Sequence, residues 1–530
     1  MAVAEDDIVI TGFAARFPQA DSLAEFKEKL YAGVDFVTDD ETRWPRGHLG
    51  LPERMGKIRD LSLFDAEFFG VPPKQAHMMD PQMRLLLETS HEAIVDAGYD
   101  PVTLRGRKVG VFIGSYNCES GEAFNFNVDN IDGYSMIGSS QAMFANRIAN
   151  SFDFHGQSMA IDTVCSSTLT ALNEAVLALR SRQCEAAIVG GSSVCLNASK
   201  SVGLLRLGIL SPDGACMTFD SRRFTCPSNE AQERLLRDVY AEARLDPRKV
   251  SYVEAHGTGT PTGDRQEMKA ISNVFCQPGR ETPLKVGAVK SNMGHGEPAA
   301  AVSSVAKVIL AMETGIIAGN LHFRKPNLDI PSLHDGSIEV VDRGIPFSGG
   351  PVGISSFGLG GTSAHVILES TEGPHVDDVV RDKEDIPRLI LVAGRSQDSL
   401  ARTLERLEEE GPYPDSAYSL LNRVGQPSVK QFPYRGFALI PVDGSDREVV
   451  KVAEHAPFEK RPLWLVFTGM GCQWKGMAHK MMQFDVFSSS IHKSHEVLKE
   501  FGIDLIDLVT NKTARDPSMA SVQASVAAIQ

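Results

Sequence analysis

The chain of 530 residues has eight cysteines but no C-x-x-C pair and no cysteine and histidine spacing suited to zinc. That pattern indicates neither a disulfide framework nor a zinc site. Also missing are G-x-x-x-x-G-K-[ST], a G-x-G-x-x-G after a strand, H-E-x-x-H and G-x-S-x-G, so nucleotide, metalloprotease and α/β-hydrolase chemistry lose their usual signals. No apolar run approaches the ~20 residues that span a bilayer. The opening "MAVAEDDIVITGF" puts acidic residues ahead of a short apolar run, the reverse of a secretory leader, and the expected location is cytoplasmic. Basic charge is the minority, 53 Lys and Arg against 68 Asp and Glu for a net charge of −15, so no broad face suits a nucleic acid or an anionic membrane.

What is present is a long alternation of strands and helices. Single cores stop growing at roughly 250–300 residues, so more than one folding unit is expected. Apolar strand-like runs occur at "IVITGF" (8–13), "KVGVFIG" (108–114), "SMAIDTV" (158–164) and "AAIVGGSSV" (186–194). Between them lie helical patterns at 80–97, 138–150 and after residue 165, the last with Leu169, Leu172, Val176 and Leu179 at helical spacing. A second series repeats the order: a helix near 229–244, strands at 250–255, 284–289, 352–357 and 365–369, and helices after Asp264 and Pro298. The repetition predicts a duplicated α/β unit built on parallel, buried sheets. A charged, proline-containing stretch after residue 370 reads as an exposed boundary, followed by a small α/β module from about 388 to 460. From "RPLWLVFTGMGCQWKGM" (461–477) a new strand, glycine turn and helix are expected, the opening of a further domain.

Three clusters stand at the ends of buried strands: Cys165 in "DTVCSS", His256 in "EAHGTGTPTGD", and Lys290 with His295 in "KSNMGHGEPAAA". A thiol at a helix N-terminus faces the positive end of the dipole and several free N–H groups, which predicts a pKa below ~8.5 and an acyl-accepting nucleophile. Consecutive N–H groups at such a turn also suit an oxyanion hole, where one donor is commonly worth ~2.7–4 kcal/mol. Two imidazoles aimed at one carbonyl oxygen can donate to an enolate or act as acid and base. Taken singly, each residue has a plainer explanation: a core thiol, two structural histidines and a surface ion pair for Lys290. Their joint placement at equivalent strand ends favours the chemical explanation.

These strings, with "SSFGLGGTSAHVILE", resemble the motifs of β-ketoacyl synthases, which share the thiolase fold, a duplicated five-stranded, five-layered αβαβα unit. "FDAEFFGVPPKQAHMMDPQMRLLLE" (64–88), "NMGHGEPA" and "TGMGCQWKGMA" are most similar to the multifunctional animal-type (type I) fatty acid synthase. The resemblance implies a ketosynthase N-terminal half at 1–226, a C-terminal half at 227–370, a linker domain at 371–460 and the start of a malonyl/acetyl transferase at 461–530. It makes Cys165 the acyl-accepting nucleophile, His256 and His295 the groups that assist decarboxylation of malonyl carrier protein, and Lys290, partnered by Glu297, the support of the His295 loop. Thr258 and Thr260 would hydrogen-bond the pantetheine. The N–H groups of Cys165 and Phe357 would form the oxyanion hole, with Phe357 gating the pocket, and Gln473 matches the transferase's active-site glutamine. No directly bound cofactor and no metal are implied. The partners would be acyl and malonyl thioesters carried on the phosphopantetheine arm of an acyl carrier protein, and a second copy of the chain in a homodimer.

The resemblance breaks in "ACMTFDSRRFTCPSNEAQERLL" (215–236), where about two strands and a helix between the halves are missing, on the order of 40 residues by element lengths. Gln157 replaces a usual proline and Ser363 a usual asparagine. A shortened sheet leaves backbone groups unpaired, so a catalytically inactive dimerising fragment stands beside the synthase reading. The same residues are also compatible with a polyketide ketosynthase of the same chemistry and with a thioester-cleaving cysteine hydrolase.

Overall fold

The computed structural model describes residues 7–116, 118–125, 132–220, 228–370, 387–411, 413–425, 431–441, 450–456, 462–467, 469, 471, 474, 476–511 and 518–530. The junction at 221–227, the charged stretch at 371–386 and Gln473 lie outside the described residues. The chain divides into two compact units: residues 1–376 with 415–424, and residues 377–414 with 425–530.

In the first unit, one sheet consists of β1 (Val109–Ser115), β2 (Ser158–Ile161) and β3 (Ala186–Ser192), all parallel, with β1 in the centre. Every residue of β1 is buried, which is why "VGVFIGS" reads as a continuous apolar run rather than an alternating one. The second sheet has five strands in the order β8 (Ser363–Leu368), β7 (Val352–Phe357), β4 (Tyr252–Glu254), β5 (Leu284–Gly287), β6 (Ile338–Val340). Only the β7–β8 hairpin is antiparallel.

Two helices lie in contact between the sheets. The helix α1 (Ser167–Arg180) packs on β1 and β3, and α2 (Ala300–Thr314) packs on β7. Leu169 of α1 shares one apolar cluster with Ala301, Val305 and Val308 of α2 and with Val352 and Ile354 of β7. Burial of α2 on nearly every side accounts for its "AAVSSVAKVILA" composition, small and apolar throughout. Close approach of α1 to the sheet depends on two glycines. A Cβ on Gly114 would stand 2.6 Å from the backbone nitrogen of Thr168, and one on Gly191 would stand 2.0 Å from the Thr168 hydroxyl.

The structure corrects the sequence reading at several elements. Residues 8–13 form no strand; Ile8, Val9 and Ile10 are 40%, 45% and 45% exposed, and the first sheet closes by pairing β1 directly with β3. An apolar run becomes a strand only when its backbone finds a partner, and this one finds none among the described residues. A cavity of about 460 Å³ separates it from β3, lined by Leu172, Val176 and Leu179 of α1, which are therefore half-buried rather than core. The second half carries the short edge strand β6, which three residues of "SIEVV" did not announce.

In the second unit, β9 (Arg388–Gly394), β10 (Tyr434–Ile440) and β11 (Val450–His455) form an antiparallel sheet covered by α3 (Gln397–Glu409). Ser396 caps α3 through a reciprocal bond with Ser399. Among the described residues the strand expected at the start of "RPLWLVFTGM" is not formed: 462–467 belong to no strand, with Leu463, Trp464 and Val466 83–86% exposed. The helices Asp485–Lys499, Leu505–Thr510 and Met519–Ile529 follow and share a small apolar cluster.

Candidate active site

Cys165 sits in a single 3₁₀ turn (Val164–Ser166) that joins the end of β2 to α1. The turn is strained: Val164 has φ 58°, a left-handed conformation that costs a β-branched residue on the order of 1–3 kcal/mol. Such sites persist only when their surroundings enforce them. Here the Asp162 carboxylate accepts from the Val164 N–H at 3.0 Å, the Thr163 N–H donates to Ser167 Oγ, and Ser356 Oγ donates to the Cys165 carbonyl at 2.9 Å.

His256 follows β4 and is held by its own backbone. The Glu267 carboxylate accepts from the N–H groups of His256 and Gly257 at 2.7 and 2.8 Å. Asp264, on the same helix α4 (Pro261–Phe275), accepts from Phe219 and Gly259. Burial raises both acids, Glu267 to about 7 and Asp264 to about 8. Lys290 starts the short helix Lys290–Met293, is buried, and has its pKa lowered by burial against the upward pull of Glu254 and Glu267. Beneath this loop, Glu254 and Lys307 form a fully buried ion pair at 3.1 Å, and Glu254 also accepts from Tyr252 Oη and the Val289 N–H.

The fold brings the three chemical residues together. One side-chain atom each of Cys165, His256 and His295 lies within 4.8 Å of the others, and the two imidazoles meet edge-on with centroids 5.3 Å apart. Phe357, the last residue of β7, packs its ring against His256 at 5.6 Å. The Glu297 N–H donates to His295 Nδ1 at 2.9 Å, so the neutral ring carries its proton on Nε2, a buried atom with no protein partner. That tautomer presents a hydrogen-bond donor to the cluster rather than the lone pair a metal would need. Burial and the Lys290 charge lower both histidines, His295 to about 3, so both rings are neutral near neutral pH.

Two expectations for the site, the acidity of Cys165 and the partner of Glu297, are corrected. The Cys165 thiol has a pKa above its ordinary value, not below it, because burial outweighs the favourable field of Lys290 and the local N–H groups. The backbone N–H groups that favour its thiolate are its own and that of Leu359, two residues beyond Phe357. Sequence reasoning missed Leu359, although the F-G-L-G turn carries two apolar side chains and either amide could have been chosen. The Glu297 carboxylate pairs with Lys200, not with Lys290. Thr258 and Thr260 do come together, their hydroxyls 3.0 Å apart, and with His295 and Cys216 they line a second cavity of about 430 Å³.

Known families match along nearly the whole chain. The model for the N-terminal domain of β-ketoacyl synthases matches residues 5–224, that for their C-terminal domain 213–324, and that for the ketoacyl-synthetase C-terminal extension 326–439. The acyl transferase domain matches 464–530. A fatty acid synthase of the goose Anser anser anser is 46% identical over 352 residues, covering 59% of this chain and 100% of that sequence. The chain belongs to the β-ketoacyl synthase family. It is the ketosynthase region of a fatty acid synthase, and its enzyme class is acyltransferase. A highly reducing polyketide synthase of Penicillium rubens is 32% identical over 84% of this chain, and the ketosynthase chain spans 21% of that protein. The solved oxazolomycin ketosynthase domain of Streptomyces albus superposes with a TM-score of 0.75 at 28% identity, over 85% of this chain and 90% of that one. The ketosynthase from module 6 of the Bacillus subtilis bacillaene synthase gives 0.72 at 25% identity, over 95% and 94%. The ketosynthase fold is therefore thiolase-like. No helix among the described residues is long and apolar enough to cross a membrane.

Proposed function

We propose that Cys165 accepts an acyl group from a carrier thioester and that His256 and His295 drive its condensation with a malonyl thioester. The observation that carries this reading is the convergence of the Cys165, His256 and His295 side chains within 4.8 Å. In the first step, Cys165 Sγ bonds to the acyl carbonyl carbon, the carrier thiolate leaves, and the thiol proton passes to it. The developing oxyanion is met by the N–H groups of Cys165 and Leu359. In the second step, the malonyl carboxylate departs as CO2, and its electron pair becomes an enolate whose oxygen accepts from His295 Nε2–H. The enolate carbon bonds to the acyl carbonyl carbon, the C–S bond to Cys165 breaks as the β-ketoacyl thioester forms, and the released thiolate takes a proton from solvent. Neutral imidazoles suit this step, since they donate without adding charge.

The cavity lined by Thr258, Thr260 and His295 is the proposed path of the phosphopantetheine arm, supported by its paired hydroxyls and its opening onto the histidine. An acyl carrier protein is the proposed partner and a homodimer the proposed state. Mass spectrometry after incubation with an isotopically labelled acyl thioester tests the nucleophile. A mass increment on the Cys165 peptide is expected, absent in Cys165→Ala and retained in His295→Gln. An increment on another cysteine would refute the assignment, and release of free acid without a lasting adduct would favour a hydrolase.

A further inference from the structure

The residue whose N–H donates to the His295 ring is itself paired with a group far from it in sequence. Lys200 lies on the helix α5 (Ala198–Arg206), whose N-terminus is fixed where Glu119 accepts from the N–H groups of Leu196 and Asn197, both at 2.6 Å. From there the Lys200 ammonium stands over the Tyr116 ring, 4.1 Å from its centroid, and pairs with the Glu297 carboxylate. Glu297 is itself in the left-handed region, φ 48°, a conformation that a non-glycine residue adopts only when held. In that conformation its backbone N–H points at His295 Nδ1, 2.9 Å away.

We propose that Lys200 is a positioning residue for the condensation, acting through Glu297 to fix His295 as the Nε2-protonated tautomer. Tyr116 holds the ammonium on one side and Glu297 on the other, so the cation is trapped between a ring face and a carboxylate. Losing the ammonium frees the Glu297 side chain, lets its backbone relax toward ordinary φ, and turns its N–H away from Nδ1. His295 then has no partner that selects Nε2–H over Nδ1–H, and the donor aimed at the enolate is lost from part of the population. Arginine at 200 can keep both the ion pair and the ring contact, whereas glutamine keeps neither charge.

The proposal rests on the condensation reading for its catalytic consequence, but its structural core is read without turnover. In the full chain labelled with ring-¹⁵N histidine, the His295 resonances are assigned by their loss in His295→Gln. The native spectrum should show a single Nε2-protonated ring at His295. Lys200→Gln, and independently Glu297→Gln, should move it toward a mixture of tautomers, and Lys200→Arg should restore the native pattern. An unchanged His295 tautomer in both glutamine variants overturns the proposal, whether or not the chain catalyses anything. In the assay arm, Lys200→Gln should slow CO2 release from malonyl thioester about 10- to 100-fold, with KM nearly unchanged and Cys165 acylation intact. Equal loss of acylation and decarboxylation would show a general structural role and would also overturn it. A native chain that decarboxylates nothing while keeping the tautomer pattern refutes the condensation reading alone.

Discussion

At Cys165 two influences oppose each other: the field of Lys290 and nearby N–H groups favours thiolate, while burial favours the neutral thiol and prevails. The sign has a direct consequence. Alkylation of Cys165 by iodoacetamide, followed on its peptide by mass spectrometry, should keep accelerating with pH through and beyond the ordinary thiol range. Lys290→Met should displace that rise to higher pH. A plateau reached near pH 7 would mean that the thiolate is already formed and that the helix terminus dominates after all. Cys165, His256 and His295 were legible because each stands in a short string whose glycines and strand end mark a turn. The parts proposed for Leu359 and Lys200 were not, since the first turns on the choice between neighbouring amides of one loop and the second on a contact between residues 97 positions apart.

At the scale of elements, the site depends on how closely α1 lies on its sheet. Gly114→Val would place a side chain against the Thr168 backbone, where the native approach leaves 2.6 Å for a Cβ. Overpacking of this kind costs about 1–3 kcal/mol and pushes α1, with Cys165 at its start, away from β1. Urea unfolding should show the lost stability, and acylation of Cys165 should fall more than the unfolded fraction explains. Unchanged stability would mean that the helix has room the glycines do not reveal. Most strands and helices were readable from periodicity because their apolar faces are long and their partners lie in the same repeat. "IVITGF" and "PLWLVF" misled for one reason: both have strand composition, and neither has a paired neighbour among the described residues. The edge strand Ile338–Val340 was too short to carry a period.

For the whole molecule, the two sheets of the repeated unit are unequal. The second sheet keeps five strands and a closed order, whereas the first keeps three and leaves Ile8–Ile10 outside it. A cavity of about 460 Å³ lies beside β3. The candidate cluster draws on both series of elements, Cys165 from the first and His256 and His295 from the second, and hydrogen bonds tie the two series together. Ser356 reaches the Cys165 carbonyl, and Thr168 donates to the Pro298 carbonyl across the same seam. The duplication itself was legible as a repeated order of elements, but the direct pairing of β1 with β3 was not, because pairing partners are set by which edges remain open. The decisive measurement supplies the purified chain with a short acyl thioester and malonyl thioester labelled in its free carboxyl carbon, and follows labelled CO2 and the β-ketoacyl thioester together. Equal amounts of both are predicted, with neither ketoacyl product nor coupled CO2 from Cys165→Ala. Labelled CO2 without a ketoacyl thioester, or no reaction in a chain shown to be folded, would contradict condensation at this site.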